Sequence, residues 1–143
     1  MTVVVCQKFR YNNQWLKWAS KVDTVRTPVI ADEYERIFYT GDGDPQYTYS
    51  GRPTGNDANG FQLGVPAPTA VVTATSSNAS GTFEEDRYYV YTYVTPLGEE
   101  GPPSSPSTKI TVADNASVAI SFATETLGNY NLGSGSHRRL YRT

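Results

Sequence analysis

Residues 88–103 read YYVYTYVTPLGEEGPP, and no other stretch narrows the folds open to this chain so far. Four of the eleven tyrosines fall within residues 88–93, interleaved with valine and threonine. Successive side chains of a β-strand point to opposite faces. Tyr89, Tyr91 and Tyr93 therefore share one face, and Tyr88, Val90, Thr92 and Val94 share the other. Aromatic and β-branched residues suit a pleated surface, so residues 87–95 are expected as a strand. Pro96, Gly98, Gly101, Pro102, Pro103 and Pro106 then end it in turns and irregular backbone.

The rest of the chain is punctuated in the same way. VPAPTAVVTATSS, residues 65–77, puts two prolines before an alternating β-branched run, as at an edge strand entering a sandwich. Residues 78–85 read as a polar turn region, and further strands are expected over 108–112, 117–122 and 139–143. Towards the N-terminus, 2–6 is a β-branched run that reads as a strand. Residues 36–40 are strongly β-forming, Gly41-Asp42-Gly43 supplies the positive φ of a reversal, and Tyr47 and Tyr49 alternate with polar residues, which predicts a β-hairpin. Trp15, Trp18 and Val22 have helical spacing, over too short a span to define a helix. Turn residues fill 50–64, with Phe61 and Leu63 as its anchors, and this loop is the expected boundary. The fold class expected is an all-β antiparallel sandwich over residues 65–143. An extended N-terminal arm with a β-hairpin is expected over residues 1–64.

Composition bounds what such a chain does. At 143 residues it is one domain or two small modules, able to bury roughly 68% of its unfolded surface. Twelve Lys plus Arg against fourteen Asp plus Glu, with no basic run longer than Arg138-Arg139, is too little positive charge for a phosphate-binding surface, so no direct nucleic-acid contact is expected. Cys6 is the single cysteine, so no intrachain disulfide forms. No apolar run reaches the length of a membrane span, and 2–6 is too short for a signal sequence.

The residues that carry chemistry are sparse. His137 and Cys6 are the only residues of their kinds, without metal-ligand spacing, and His137 in GSGSHRR lacks the elbow around a catalytic serine. Asp42 and Asp44 in TGDGDP resemble the start of a calcium loop, but Tyr47 and Pro53 occupy the places of its glycine and its bidentate acid. The glycines do not match a nucleotide-binding pattern. Acids cluster at Asp32, Glu33 and Glu35, at residues 84–86, and at Glu99 and Glu100. Each cluster lies beside a turn or strand end, where charge is normally solvated, although a glycosidase would need two such acids across a cleft. Asn78-Ala79-Ser80 and Asn115-Ala116-Ser117 match the glycosylation sequon, a pattern common by chance. No metal, no cofactor and no enzymatic activity are expected.

Aromatic side chains are the remaining candidates. Tyrosine joins a large apolar face to a hydroxyl that tolerates water. Tyr89, Tyr91 and Tyr93 form a sheet face packed on the sandwich core, an intersubunit face, or a platform for sugars. Trp15 and Trp18 in NNQWLKWASK either pack on the sheet or dock a polar arm, which lacks a core of its own, onto a neighbouring subunit. All five are candidate intersubunit contacts.

RYYVYTYVTPLGEEGPPSSPSTKITV resembles the aromatic strand, glycine turn and Pro/Ser-rich crossing of fibronectin type III-like modules, a fold of the immunoglobulin-like class. More narrowly, SKVDTVRTPVIADEYERIFYTGDGDPQYTYS, followed by FQLGVPAPTA and YYVYTYVTPLGEEGPPSSPS, is similar to a family of virion structural proteins of tailed bacteriophages. The matching segments run in the same order over roughly residues 21–143. The resemblance implies a virion location and an assembly role in the tail or tail sheath, with copies of the chain and other virion proteins as partners. It carries over no active-site residue. The alternative is an adhesin-like module that binds host glycan or protein through the tyrosine face. The family pattern belongs to longer chains, and HRRLYRT resembles a mid-sandwich strand. That strand is expected to pair locally, to continue in a longer product, or to be completed by a neighbour's strand.

Overall fold

The computed structural model describes residues 7–11, 13–50, 60–77, 81 and 83–143. The strand expected over 2–6, Cys6, most of the 50–64 loop and the 78–80 sequon lie outside them. The chain is all-β and sandwich-like, with several antiparallel sheets and no helix among the described residues. It divides into two compact units, Met1–Leu63 and Gly64–Thr143.

In the first unit β1 (Gln7–Tyr11) and β2 (Gln14–Trp18) form a hairpin in which Tyr11 faces Gln14. Asn13 takes a φ of 59°, in the left-handed region that asparagine tolerates. The helical spacing of Trp15, Trp18 and Val22 is thus overridden by a period of two: Leu16 and Trp18 point inward, and Trp15 points out. A second sheet has the order β3 (Asp23–Arg26), β4 (Ile37–Thr40), β5 (Gln46–Thr48), β6 (Phe61–Gln62). The reversal between β4 and β5 needs glycine at 41: its φ is 104°, and an added Cβ would lie 2.4 Å from the Lys21 carbonyl oxygen.

This unit has its own core, which corrects the expectation of a coreless arm. Tyr11, Leu16, Trp18, Val22, Ile37 and Tyr39 are all buried together. The Trp18 and Tyr39 rings lie 5.1 Å apart. Apolar residues are few here, but strand alternation brings them to one side, so a polar sequence still closes a core.

The second unit holds β7 (Thr73–Ser76), β8 (Glu84–Arg87), β9 (Tyr89–Val94), β10 (Ile110–Ala113), β11 (Val118–Ser121) and β12 (His137–Arg142). They pair β7 with β11, β8 with β10 and β9 with β12, all antiparallel. The core joins Val72 and Ala74 to the three alternate tyrosines of β9, with Ile120 and Phe122 packed against them. Strand β8 corrects the reading of 78–85 as turn only. It has no apolar residue, and cross-strand polar contacts hold it instead: Asp86 accepts from Lys109 Nζ at 2.9 Å and from Thr111 Oγ1 at 2.8 Å.

The Pro/Ser-rich crossing has a regular structure that explains its sequence. After Val94 the Thr95 hydroxyl accepts the N–H groups of Leu97 and Glu99, and Gly98 turns the chain at a φ of 80°. The chain then runs back along the free edge of β9. Gly101, Ser104 and Ser107 donate their N–H groups to the carbonyls of Tyr93, Tyr91 and Tyr89 at 2.8–2.9 Å. The Ser104 and Ser107 hydroxyls accept the N–H groups of Tyr91 and Tyr89 in return, at 3.2 and 3.1 Å. Only every third residue bonds the strand, which is the period of a polyproline II helix. Pro102, Pro103 and Pro106 fall between those positions, where their missing N–H groups cost nothing.

Candidate assembly interface

The tyrosine row fills the core. Tyr89, Tyr91 and Tyr93 are 4, 0 and 3% exposed. Tyr91 meets Phe122 edge-on at 4.9 Å, and the Arg138 guanidinium lies 5.0 Å from the Phe122 ring. The Tyr91 hydroxyl donates to Glu125 Oε1, which also accepts the Ala70 N–H. Burial, then the contacts with Tyr93 and Glu125, push the Tyr91 hydroxyl pKa well up. Burial works against the charge of Glu125, but the Ala70 and Thr69 N–H groups and the tyrosine hydroxyls outweigh it and hold the carboxyl below its ordinary range. These tyrosines stand inside one unit, so they offer no surface to a partner. Trp18 is buried in the same way in the first unit. Of the five candidate contacts, Trp15 alone is open, at 53% exposure.

On the opposite face of β9 Thr92 and Val94 are buried and Val90 is half-buried, so the surface there is made by Tyr88 and by the strand β12. Every residue of β12 is exposed. On the outer face, Tyr88, Val90, Pro106 and Tyr141 line an apolar groove of about 350 Å³. Beside it Glu100 accepts from Thr92 Oγ1 and from the Tyr141 hydroxyl, both at 2.6 Å, and pairs with Arg139. The Thr92 and Tyr141 hydroxyls hold the Glu100 carboxyl below its ordinary pKa, with Arg139 adding to them. The cluster therefore ties Tyr141 and Arg139 together on the outer face.

The backbone of β12 is equally open. The Thr143 N–H donates to the Tyr88 carbonyl at 3.1 Å, which sets the phase of the ladder between β12 and β9. By antiparallel alternation His137, Arg139 and Tyr141 direct their backbone groups at β9, and Arg138, Leu140 and Arg142 direct theirs away. Among the described residues β12 has no strand partner on that outer edge. Leu140, 40% exposed, sits at its centre. Sequence reading missed Leu140, Tyr141 and Tyr88, although HRRLYR does carry two apolar residues among its charges.

Of the acids in the sequence clusters, Asp32 is held by its near neighbours. Asp32 accepts the Tyr34 and Arg36 N–H groups and the Arg36 Nε within residues 32–36. Asp42 takes the Ser20 hydroxyl, and Asp44 takes the Gln62 amide. Among the described residues no group of three metal-ligating side chains converges. No known protein family, curated protein or solved structure matches the chain.

Proposed function

We propose that this chain is a non-enzymatic structural subunit of a tailed-bacteriophage virion, part of the tail or its sheath, that assembles with copies of itself and with other virion proteins. The observation that carries this reading is β12: a strand whose every residue is exposed, with no strand partner on its outer edge among the described residues, beside an apolar groove. Strand addition at such an edge supplies main-chain hydrogen bonds, and the neighbouring groove supplies apolar burial. The resemblance of the sequence segments, in their order, to virion structural proteins favours the same role. The size distribution of the purified chain, with electron microscopy of its products, tests it. Rings, tubes or polymers are the expected outcome, and a monomer at every concentration would contradict it.

A second reading, a host-binding adhesin, moves from the buried tyrosines to the outer groove. Tyr88 and Tyr141, 41 and 43% exposed, present ring surface on which a sugar can stack. Retention of a monomeric chain on host polysaccharide, lost in Tyr88→Ala, would favour it over assembly.

A further inference from the structure

Among the described residues β7, β8, β10, β11 and β12 each have a single strand partner; of these only β8 and β12 carry charged residues, and their outward charges are opposite. We infer that assembly is head-to-tail, with the outer edge of β12 in one copy pairing with the outer edge of β8 in the next; this rests on the assembly role proposed above.

Strand β8 pairs with β10 alone among the described residues. The Asp114 N–H donates to the Phe83 carbonyl at 3.0 Å, which sets the phase of that ladder. Glu85 and Arg87 therefore direct their backbone groups at β10, and Glu84 and Asp86 direct theirs outward. Glu84, Glu85 and Asp86 are all exposed. The outward backbone positions of β12 carry Arg138, Leu140 and Arg142; those of β8 carry Glu84 and Asp86. Asp86 is tied to Lys109, Glu85 to Arg87 and Arg139 to Glu100, whereas Glu84 and Arg142 take part in none of these pairs.

Like charges directly opposite one another destabilise a strand pair, and opposite charges stabilise it. Pairing β12 with β12 would face arginines with arginines, and pairing β8 with β8 would face acids with acids. Pairing β12 with β8 is the combination that the charges favour. It joins different surfaces of identical copies, and such a contact closes into a ring or runs on as a filament. The chain closes the other edge of β9 with its own residues 101–107, and places no such cover on β8 or β12 among the described residues.

A charge swap tests the pairing, with self-association of the full chain followed by sedimentation velocity. Arg142→Glu alone and Glu84→Lys alone are each expected to weaken association at least tenfold. Mixing the two variants is expected to restore it, because each joint then again faces a base with an acid. Leu140→Pro removes an outward N–H of β12 without taking a bond from β9, and is expected to abolish association while circular dichroism shows the fold retained. If the unaltered chain associates and these variants associate equally well, the β12-to-β8 joint is wrong and the assembly role stands. If the unaltered chain never associates, the assembly role falls, and the joint with it.

Discussion

Asp32 shows how a single polar side chain fixes the backbone around it. Its two carboxylate oxygens accept three N–H donors from Tyr34 and Arg36, next to Ala31 and Glu35, whose positive φ values of 57° and 48° are unusual for residues with a Cβ. The hydrogen bond from the Arg36 side chain, aided by the backbone donors, lowers the carboxyl pKa to about 2. A depressed folded-state pKa means that the contribution is complete above the unfolded value, near 4, and is lost as pH falls from about 4 towards 2. Asp32→Asn is expected to cost about 1–3 kcal/mol at neutral pH and to flatten that acid transition. Both tryptophans lie in the first unit, so tryptophan fluorescence during chemical unfolding, repeated across pH, reads it directly.

At the scale of elements, β9 and the chain running back beside it are the most informative pair. The alternation of Tyr89, Tyr91 and Tyr93 was legible, because one period governs both sequence and strand, and burial of all three follows from it. The glycine turn at residue 98 was legible too, since Gly98 occupies the positive φ that such a turn requires. The bonding of 101–107 to β9 was not: prolines signal the absence of a ladder, and here a period of three hides one between them. This makes a sharp contrast testable. Ser104→Pro removes the N–H that bonds Tyr91 and is expected to cost about 1–3 kcal/mol. Ser105→Pro falls between bonding positions and is expected to change stability by less than about 1 kcal/mol. Chemical denaturation followed by the near-ultraviolet circular dichroism of the buried tyrosines separates them; equal losses would refute the three-residue ladder. Two other elements escaped the sequence for related reasons. Strand β8 has no apolar residue to mark it, and the hairpin of β1 and β2 was obscured by a helical spacing of Trp15, Trp18 and Val22 that arises by coincidence.

At the scale of the whole molecule, two β units each bury their own aromatic residues, and the second leaves strands open to other chains. The candidate site was legible only in part. Sequence patterning marks residues as β-forming and amphipathic, and it does not say which strand lies at an edge; that depends on long-range pairing. Hence Tyr91, placed at the heart of the core, read as a contact candidate, while Leu140, in a charged run, did not. The backbone of β12 gives the most direct test of assembly through its outer edge. Amide exchange followed by nuclear magnetic resonance, below and above the concentration at which the chain associates, distinguishes the two sides of the strand. The Arg139 and Tyr141 amides face β9 and should be protected throughout. The Arg138, Leu140 and Arg142 amides should exchange freely in the dissociated chain and become protected on association; association that leaves all three exchanging unchanged would contradict pairing through this edge.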